Sequence, residues 1–318
     1  MKKQTIALLA GGISAERAVS LSSGQQVYEA LDKDRYEIRR YDPKTDLGRL
    51  VAEAATIDAA LIILHGPFGE DGTVQGLLDL LGIPYQGAGV LGSALAMNKL
   101  ASKQLYEKAG IPIPAYAVIT KSSNIDGKAA LEQLGLPLVV KPLTGGSSIG
   151  MSIVRAKGAL AGALEKGFEF DDALLLEAYI EGVEITGGVL GNEDPEALPL
   201  IEIVPGTDHA FFDYEAKYMP GASEEICPAR IDAEMTEKAQ DLARRAHQTL
   251  FCLGYSRTDM ILKGRDLYVL ETNTIPGMTA TSLFPQAAAV AGYSFTALLD
   301  RLIELGIEAH SGKGLAGK

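Results

Sequence analysis

The sequence predicts an α/β chain that opens on a parallel sheet and continues in α+β units built from hairpins. Three observations carry that reading. An apolar strand, a glycine-rich loop and a helix follow one another twice within the first 81 residues, which gathers the loops at the carboxyl ends of parallel strands. Beyond about residue 97, β-like runs joined by short turns appear among the helices. No internal repeat or Pro-rich linker interrupts the chain, so contiguous domains packed around a shared cleft are expected.

In order, residues 5–10 read as a buried strand, 11–16 as a Gly-Gly loop and about 17–31 as a helix. The pattern repeats with a strand at 58–64, a loop at 65–72 and a helix to about Leu81. A short strand at 83–85 and one helix from about Ser93 to Ala109 follow, ended by Pro112 and Pro114. Strands at 136–141 and 149–154 flank a Gly/Ser loop, with a helix near 157–167 and a strand at 173–180. Strands at 184–190 and 198–204, a polar loop over about 206–228 and a helix over 232–252 lead to a hairpin. A helix over about 294–305 closes the fold, and residues 311–318 look frayed. The boundaries expected are 1–96, 97–182 and 183–318.

At 318 residues the chain suggests two or three domains. Its formal net charge of −12 argues against nucleic acid as main partner, since a phosphate backbone demands a basic surface. One nucleotide needs only a few local cations and is not excluded. The two cysteines, Cys227 and Cys252, have no metal-type spacing and read as reduced thiols. The N-terminal apolar run is short and meets Gly11-Gly12 as a first strand would, and no run approaches membrane-spanning length. A cytoplasmic location is expected.

The richest motif is Tyr255-Ser-Arg-Thr-Asp259 with Tyr268-Val-Leu-Glu271-Thr-Asn273. Two strands flanking a three-residue turn at Gly264-Arg265-Asp266 set Asp259 opposite Glu271. Alternation then puts Arg257, Asp259, Glu271 and Asn273 on one face. Three oxygen donors without His or Cys suit a hard cation such as Mg²⁺. The guanidinium beside them suits a transferring phosphoryl group. The alternative is an ordinary solvated face, but opposed carboxylates repel and make that register poor without a cation.

Lys141-Pro-Leu-Thr-Gly-Gly-Ser-Ser-Ile-Gly150 is the second signal. Small residues bring backbone N–H groups near phosphate oxygens while Lys141 adds charge. Its Lys precedes the glycines and a strand follows, so it is a hairpin flap, not a Walker A loop. Alone, such a hairpin is only a turn. Glu177 to Glu184 ends a strand with carboxylates fit for amino and ribose hydroxyl groups, or equally for solvent. Gly12-x-Ser14-x-Glu16 opens a helix without the GxGxxG spacing of a nicotinamide fold. Glu16 has an ordinary alternative as a helix-start acid. His65 lies in the second cleft loop and is, taken singly, more often structural. The loop around Phe212 to Tyr218 is a candidate lid or a plain exposed connection.

Together these motifs resemble the D-alanine–D-alanine ligase family of ATP-grasp enzymes. GGxSxE at 11–16, HGxxGEDG at 65–72, EAKY at 215–218, RTD at 257–259 and ETNTIPGMTATS at 271–282 occur in the family's order along nearly the whole chain. The resemblance implies a three-domain ATP-grasp fold with ATP between the second and third domains. It implies two Mg²⁺ (or Mn²⁺) ions held by Asp259, Glu271 and Asn273. Lys99 and Lys141 would contact phosphates, joined by Lys217 as a lid closes. Glu177, Tyr179 and Ile180 would line the adenine pocket, and Glu184 would hold the ribose. Glu16 would bind the ammonium of the first D-alanine, in a loop pair with His65, and would form a triad with Ser147 and Tyr218. Ser282 and Leu283 would hold the second carboxylate, while Arg257 and the Gly277 N–H would stabilise the oxyanion. The resemblance also implies that Tyr218 favours D-alanine over D-lactate as acceptor.

The resemblance further implies synthesis of a peptidoglycan precursor, a homodimer, and neither nucleic-acid nor membrane partners. Many members carry a charged pair where this chain has Thr144-Gly145, which bears on how the flap closes. Rival readings are a related ATP-grasp ligase for another amino acid, a nucleotide-regulated binding protein, and, least supported, a nicotinamide oxidoreductase.

Overall fold

The structure is a computed structural model that describes residues 3–122, 127–146, 149–206 and 223–312. It begins with three parallel strands, β1 (Gln4–Ala10), β2 (Tyr36–Tyr41) and β3 (Ala59–Ile63), in the order β2-β1-β3. Every residue of β1 after Gln4 is buried, as expected of a parallel strand covered on both faces. Helices α1 (Arg17–Ala30), α2 (Leu47–Glu53) and α3 (Thr73–Leu81) follow the strands. The expected strand at 83–85 reduces to a single bridge from Tyr85 to Ala60.

The helix expected over 93–109 is two helices, α4 (Val90–Met97) and α5 (Lys99–Lys108). Asn98 breaks the run with extended backbone (φ −93°, ψ 102°), and its side chain accepts from Ala101 N to cap α5. The break has a tertiary cause. Asn98 bridges to Thr144, and Lys99 N donates to Leu143 O at 3.1 Å. The chain thus leaves helical geometry to hold the Lys141 loop.

The second sheet is antiparallel, with β4 (Tyr116–Thr120), β5 (Leu138–Pro142), β6 (Ser152–Val154) and β7 (Ala173–Ala178) in the order β4-β7-β5-β6. Helices α6 (Lys128–Leu134) and α7 (Leu160–Gly167) supply Ala130, Leu160 and Leu164 to a core with Leu138, Val140, Leu174 and Leu176.

The third sheet comprises β8 (Val183–Leu190), β9 (Glu196–Ala197), β10 (Ile201–Pro205), β11 (Ser223–Ile226), β12 (Tyr255–Lys263) and β13 (Asp266–Asn273). Its main path runs β11-β10-β8-β12-β13, and β9 pairs with β8. The loop expected over 206–228 therefore contains a strand, because β11 pairs with β10 from Ser223 to Ile226. Helix α8 (Ala233–Thr249) covers β8, β12 and β13, stopping short of the expected residue 252. Two further helices, α9 (Leu283–Val290) and α10 (Phe295–Gly312), close the described chain. Leu298, Leu299 and Leu302 of α10 join Ile6, Leu8 and Leu61 of the first sheet in one core. Residues from both ends of the sequence therefore fix the first sheet against the third, which aligns the loops at residues 11–16 and 65–72 with the β12–β13 hairpin.

Candidate active site

The β12–β13 hairpin pairs Asp259 with Glu271 and Arg257 with Asn273. The route differs from the one the sequence suggested. Lys263 pairs with Asp266, so the turn is the two residues Gly264 and Arg265, with Gly264 at φ +62°. A regular ladder from that turn would set Asp259 opposite Leu270. The register instead shifts between Asp259 and Met260, where Leu270 bulges and returns Glu271 to Asp259.

Arg257 grips Asp259 with two hydrogen bonds, Nε to Oδ1 at 2.9 Å and Nη2 to Oδ2 at 2.8 Å. Thr186 Oγ1 donates to Asp259 Oδ1 at 2.6 Å, so the carboxylate is oriented from β8 as well. Asn273 Oδ1 accepts from Ile275 N at 3.2 Å. Among the described residues no three or more His, Cys, Asp or Glu side chains gather as a metal-binding group. The set here is two opposed carboxylates and an amide. All-oxygen donors of this kind fit a hard divalent cation.

A cavity of 380 Å³ lies between the second and third sheets. Lys99, Lys141, Glu177 and Glu184 line it, as do Tyr179, Ile180, Asp259 and Glu271. All eight belong to the expected nucleotide and metal set. Glu177 is not a lone acceptor on the cavity wall, however. Its carboxylate is buried and shared between two ammonium groups, Lys141 Nζ at 2.5 Å from Oε2 and Lys103 Nζ in contact with Oε1. Burial alone would raise the Glu177 pKa, but Lys141 and Lys103 reverse that and hold it below the usual carboxylate range. Burial likewise works against the Lys141 ammonium, and Glu177 and Glu271 together raise its pKa.

The Gly/Ser loop is tied at its near end. Lys99 Nζ donates to Gly145 O at 2.7 Å, and Thr144 donates to Asp171 Oδ2 from both N (2.8 Å) and Oγ1 (2.7 Å). Gly145 itself takes φ +109°, a conformation that favours glycine. Thr144-Gly145 thus has a defined structural use in this chain.

A second cavity, of 640 Å³, holds the remaining described site residues, Glu16, His65, Gly277, Ser282 and Leu283, alongside Arg257 and Asn273. Lys99, Gly145, Gly146 and Glu271 line both cavities. Ser14 joins the two glycine loops, its Oγ donating to His65 O at 2.7 Å and accepting from Glu16 N at 3.2 Å. Gly66 leaves room for Glu16, since a Cβ there would stand 2.9 Å from Glu16 Oε2. Burial, with a contribution from Arg257, lowers the His65 pKa to about 4, so the ring is neutral near pH 7.

Ser282 occupies the N-cap position of α9 but makes no side-chain cap hydrogen bond. Its Oγ accepts from Thr279 N at 3.1 Å and pairs with Thr279 Oγ1 at 2.7 Å. The Ser282 side chain therefore leaves the α9 N-terminus uncapped where Ser282 and Leu283 line the cavity, and a helix N-terminus is an end that favours an anion. Ser147, Lys217 and Tyr218 lie outside the described residues.

Three polar residues of the site escaped the sequence reading. Glu70, half-buried beside Gly66 N (2.6 Å to Oε2), is pushed up to about 8, mainly by desolvation, with Glu16 and Glu271 adding repulsion and the Gly66 bond and Arg257 opposing. Glu225 on β11 is raised by burial and accepts from Gln286. No sequence signal marks it, since Ser-Glu-Glu-Ile reads as polar loop. Lys103 did leave a signal: it stands four residues after Lys99 on one helix and so shares its face.

Comparison with known proteins agrees with this geometry. The chain matches the D-ala D-ala ligase C-terminus model over residues 105–304 and the corresponding N-terminus model over residues 39–88. It is 64% identical over 307 residues to D-alanine–D-alanine ligase from Syntrophobacter fumaroxidans, covering 96% of this chain and 99% of that protein. The Desulfotalea psychrophila D-alanine–D-alanine ligase is 55% identical, covering 97% and 96%. A crystal structure of the Bacillus anthracis D-alanine–D-alanine ligase complexed with ATP superposes with a TM-score of 0.86 at 37% identity, covering 98% of this chain and all of that one. The chain belongs to the D-alanine–D-alanine ligase family.

Proposed function

We propose that the protein joins two D-alanine molecules into D-alanyl-D-alanine with conversion of ATP to ADP and phosphate, supplying a peptidoglycan precursor. The observation that carries this reading is the shared wall of the two cavities, built by Lys99, Gly145, Gly146 and Glu271. A phosphoryl group bound on one side would face a carboxylate bound on the other, as in-line transfer requires.

In the first step a carboxylate oxygen of the first D-alanine attacks the γ-phosphorus, ADP leaves, and a D-alanyl phosphate forms. Glu16 would hold the ammonium of that D-alanine, with the neutral His65 beside it. Lys99 and Lys141 would offset the phosphate charge, with Tyr179 and Ile180 against the base and Glu184 at the ribose. A divalent cation, Mg²⁺ or Mn²⁺, held by Asp259, Glu271 and Asn273 would supply further neutralisation of phosphate oxygens. The family's two-ion arrangement is part of this proposal. In the second step the ammonium of the second D-alanine gives one proton to solvent, the resulting amine attacks the acyl carbon, and the C–O bond to phosphate breaks as the second N–H proton leaves with the departing phosphate. Arg257 and the Gly277 N–H would stabilise the oxyanion, while Ser282 and the α9 N-terminus at Leu283 would hold the acceptor carboxylate.

Ser147, Lys217 and Tyr218 would complete the triad and the closing lid. The working unit would be a cytoplasmic homodimer. Among the described residues no helix is long and apolar enough to cross a membrane.

The test is ADP release with ATP, Mg²⁺ and D-alanine, repeated with L-alanine and with D-alanine plus D-lactate. The expected result is release that needs D-alanine, with the dipeptide seen by mass spectrometry. Turnover with a different amino acid would keep ATP-grasp chemistry and replace the substrate. ATP binding without any turnover would favour a binding protein.

A further inference from the structure

The Lys103–Glu177–Lys141 cluster holds one more buried charge than an ion pair needs. Lys141 reaches the nucleotide cavity, whereas Lys103 is 1% exposed and lies behind Glu177, outside that cavity's lining. Taken as a pair, Lys141 and Glu177 are neutral, and a lysine whose charge is cancelled at 2.5 Å has little to offer a polyphosphate. With an ammonium at Lys103 the cluster carries a net charge of +1; burial lowers the Lys103 pKa, and the neighbouring Glu177 carboxylate opposes that. Burying a third charge is costly, and a methionine of similar length would fill the space without that cost. Stability alone therefore does not explain an ammonium at this position.

Several elements meet around Lys103. It projects from α5 one turn after Lys99, which holds Gly145 O. Its Nζ also lies 5.7 Å from the centroid of the Tyr116 ring, and Tyr116 is the β4 partner of Glu177. By engaging Oε1, Lys103 leaves Oε2 as the oxygen that holds Lys141.

We propose that Lys103 is a positioning residue for the phosphate-binding lysine: it restores the charge that Glu177 cancels and orients Glu177 so that Lys141 faces the cavity. This rests on the reading that the 380 Å³ cavity takes ATP.

The experiment is calorimetric titration of the full chain with ATP and, separately, with adenosine, for the wild type, Lys103→Met, Lys103→Arg, Glu177→Gln and Lys103→Met/Glu177→Gln. Lys103→Met is expected to weaken ATP binding about tenfold or more and leave adenosine within about twofold, because only the phosphates feel the lost charge. Lys103→Arg should retain most of the ATP affinity. The double variant, whose cluster again carries +1, should recover ATP affinity relative to Lys103→Met. In steady state, KM for ATP should rise while KM for D-alanine stays. ATP binding by Lys103→Met within about twofold of wild type, or a double variant weaker than Lys103→Met, would overturn the proposal. If Lys103→Met does not fold, Glu177→Gln against the double variant decides: a net charge of +2 falling to +1 should weaken ATP binding, and equal affinities would refute the charge role. A wild type that binds no ATP would instead remove the functional reading on which the proposal rests.

Discussion

The two cavities treat their carboxylates in opposite ways. In the nucleotide cavity Glu177 is drawn down by Lys141 and Lys103, and Glu202, also on its wall, is drawn down by its hydrogen bond to Arg230. In the neighbouring cavity Glu70 and Glu225 are both pushed up by burial. Their hydrogen bonds come from a backbone amide and a glutamine amide. The first cavity holds its carboxylates against built-in cations and suits a polyanion, while the second, which Lys99 and Arg257 also line, keeps two acids whose ionisation an arriving cation would favour. An amino acid's ammonium group and a divalent ion are cations of that kind. The contrast explains how one chain with a net charge of −12 can bind both nucleotide and zwitterions.

The sharpest way to break this comparison is at Glu271, which lines both cavities. Glu271→Gln is expected to lower kcat by about 10²-fold or more and to move half-maximal Mg²⁺ upward, read from ADP release across a Mg²⁺ titration. Unchanged Mg²⁺ dependence would remove Glu271 from the cation site. Glu16→Gln should act on one cavity only. D-alanine KM should rise on the order of tenfold, with ATP KM unmoved, since a charged hydrogen-bond acceptor for the ammonium is lost. A parallel rise in ATP KM would mean that the cavities are not separable.

The smallest effect concerns pH. Glu70 moves from an ordinary 4.5 to about 8, so the folded state binds the extra proton across that window and stability falls as pH rises through it. His65, lowered to about 4, contributes the opposite slope between about 4 and 6.5. The difference between wild type and Glu70→Gln isolates the first term. The variant should melt progressively higher than wild type between pH 5 and pH 8, and a constant gap in Tm would contradict a raised Glu70.

The sequence makes the covered strands and the clustered motifs legible because burial and chemistry leave dense local marks. β1 and β3 are nearly continuous apolar runs, and alternation groups Arg257 with Asp259 and Glu271 with Asn273 within each hairpin strand, although their pairing across the hairpin rests on the bulge at Leu270. β2 escaped because Tyr-Glu-Ile-Arg-Arg-Tyr is buried only at its two tyrosines, the intervening charges pairing on the surface. The Asn98 break was hidden because its cause lies in another element, the loop at Thr144. Lys103 is illegible for a related reason, as a lysine inside a polar helix reads as solvated until a strand some seventy residues later brings Glu177 to it. Local chemistry could be read from the chain, whereas partnerships set by packing could not.

The bulge at Leu270 has a consequence for lineage. A regular strand sends consecutive side chains to opposite faces, yet Leu270 and Glu271 both line the nucleotide cavity, one with hydrocarbon and the other with a carboxylate. Asp259 is kept in step from the other side by β8, where it pairs with Thr186. Hairpin length and ligand pairing are thereby uncoupled: an insertion or deletion near the Gly264–Arg265 tip can be absorbed at the bulge, and descendants can vary that tip without carrying the opposed acids out of register.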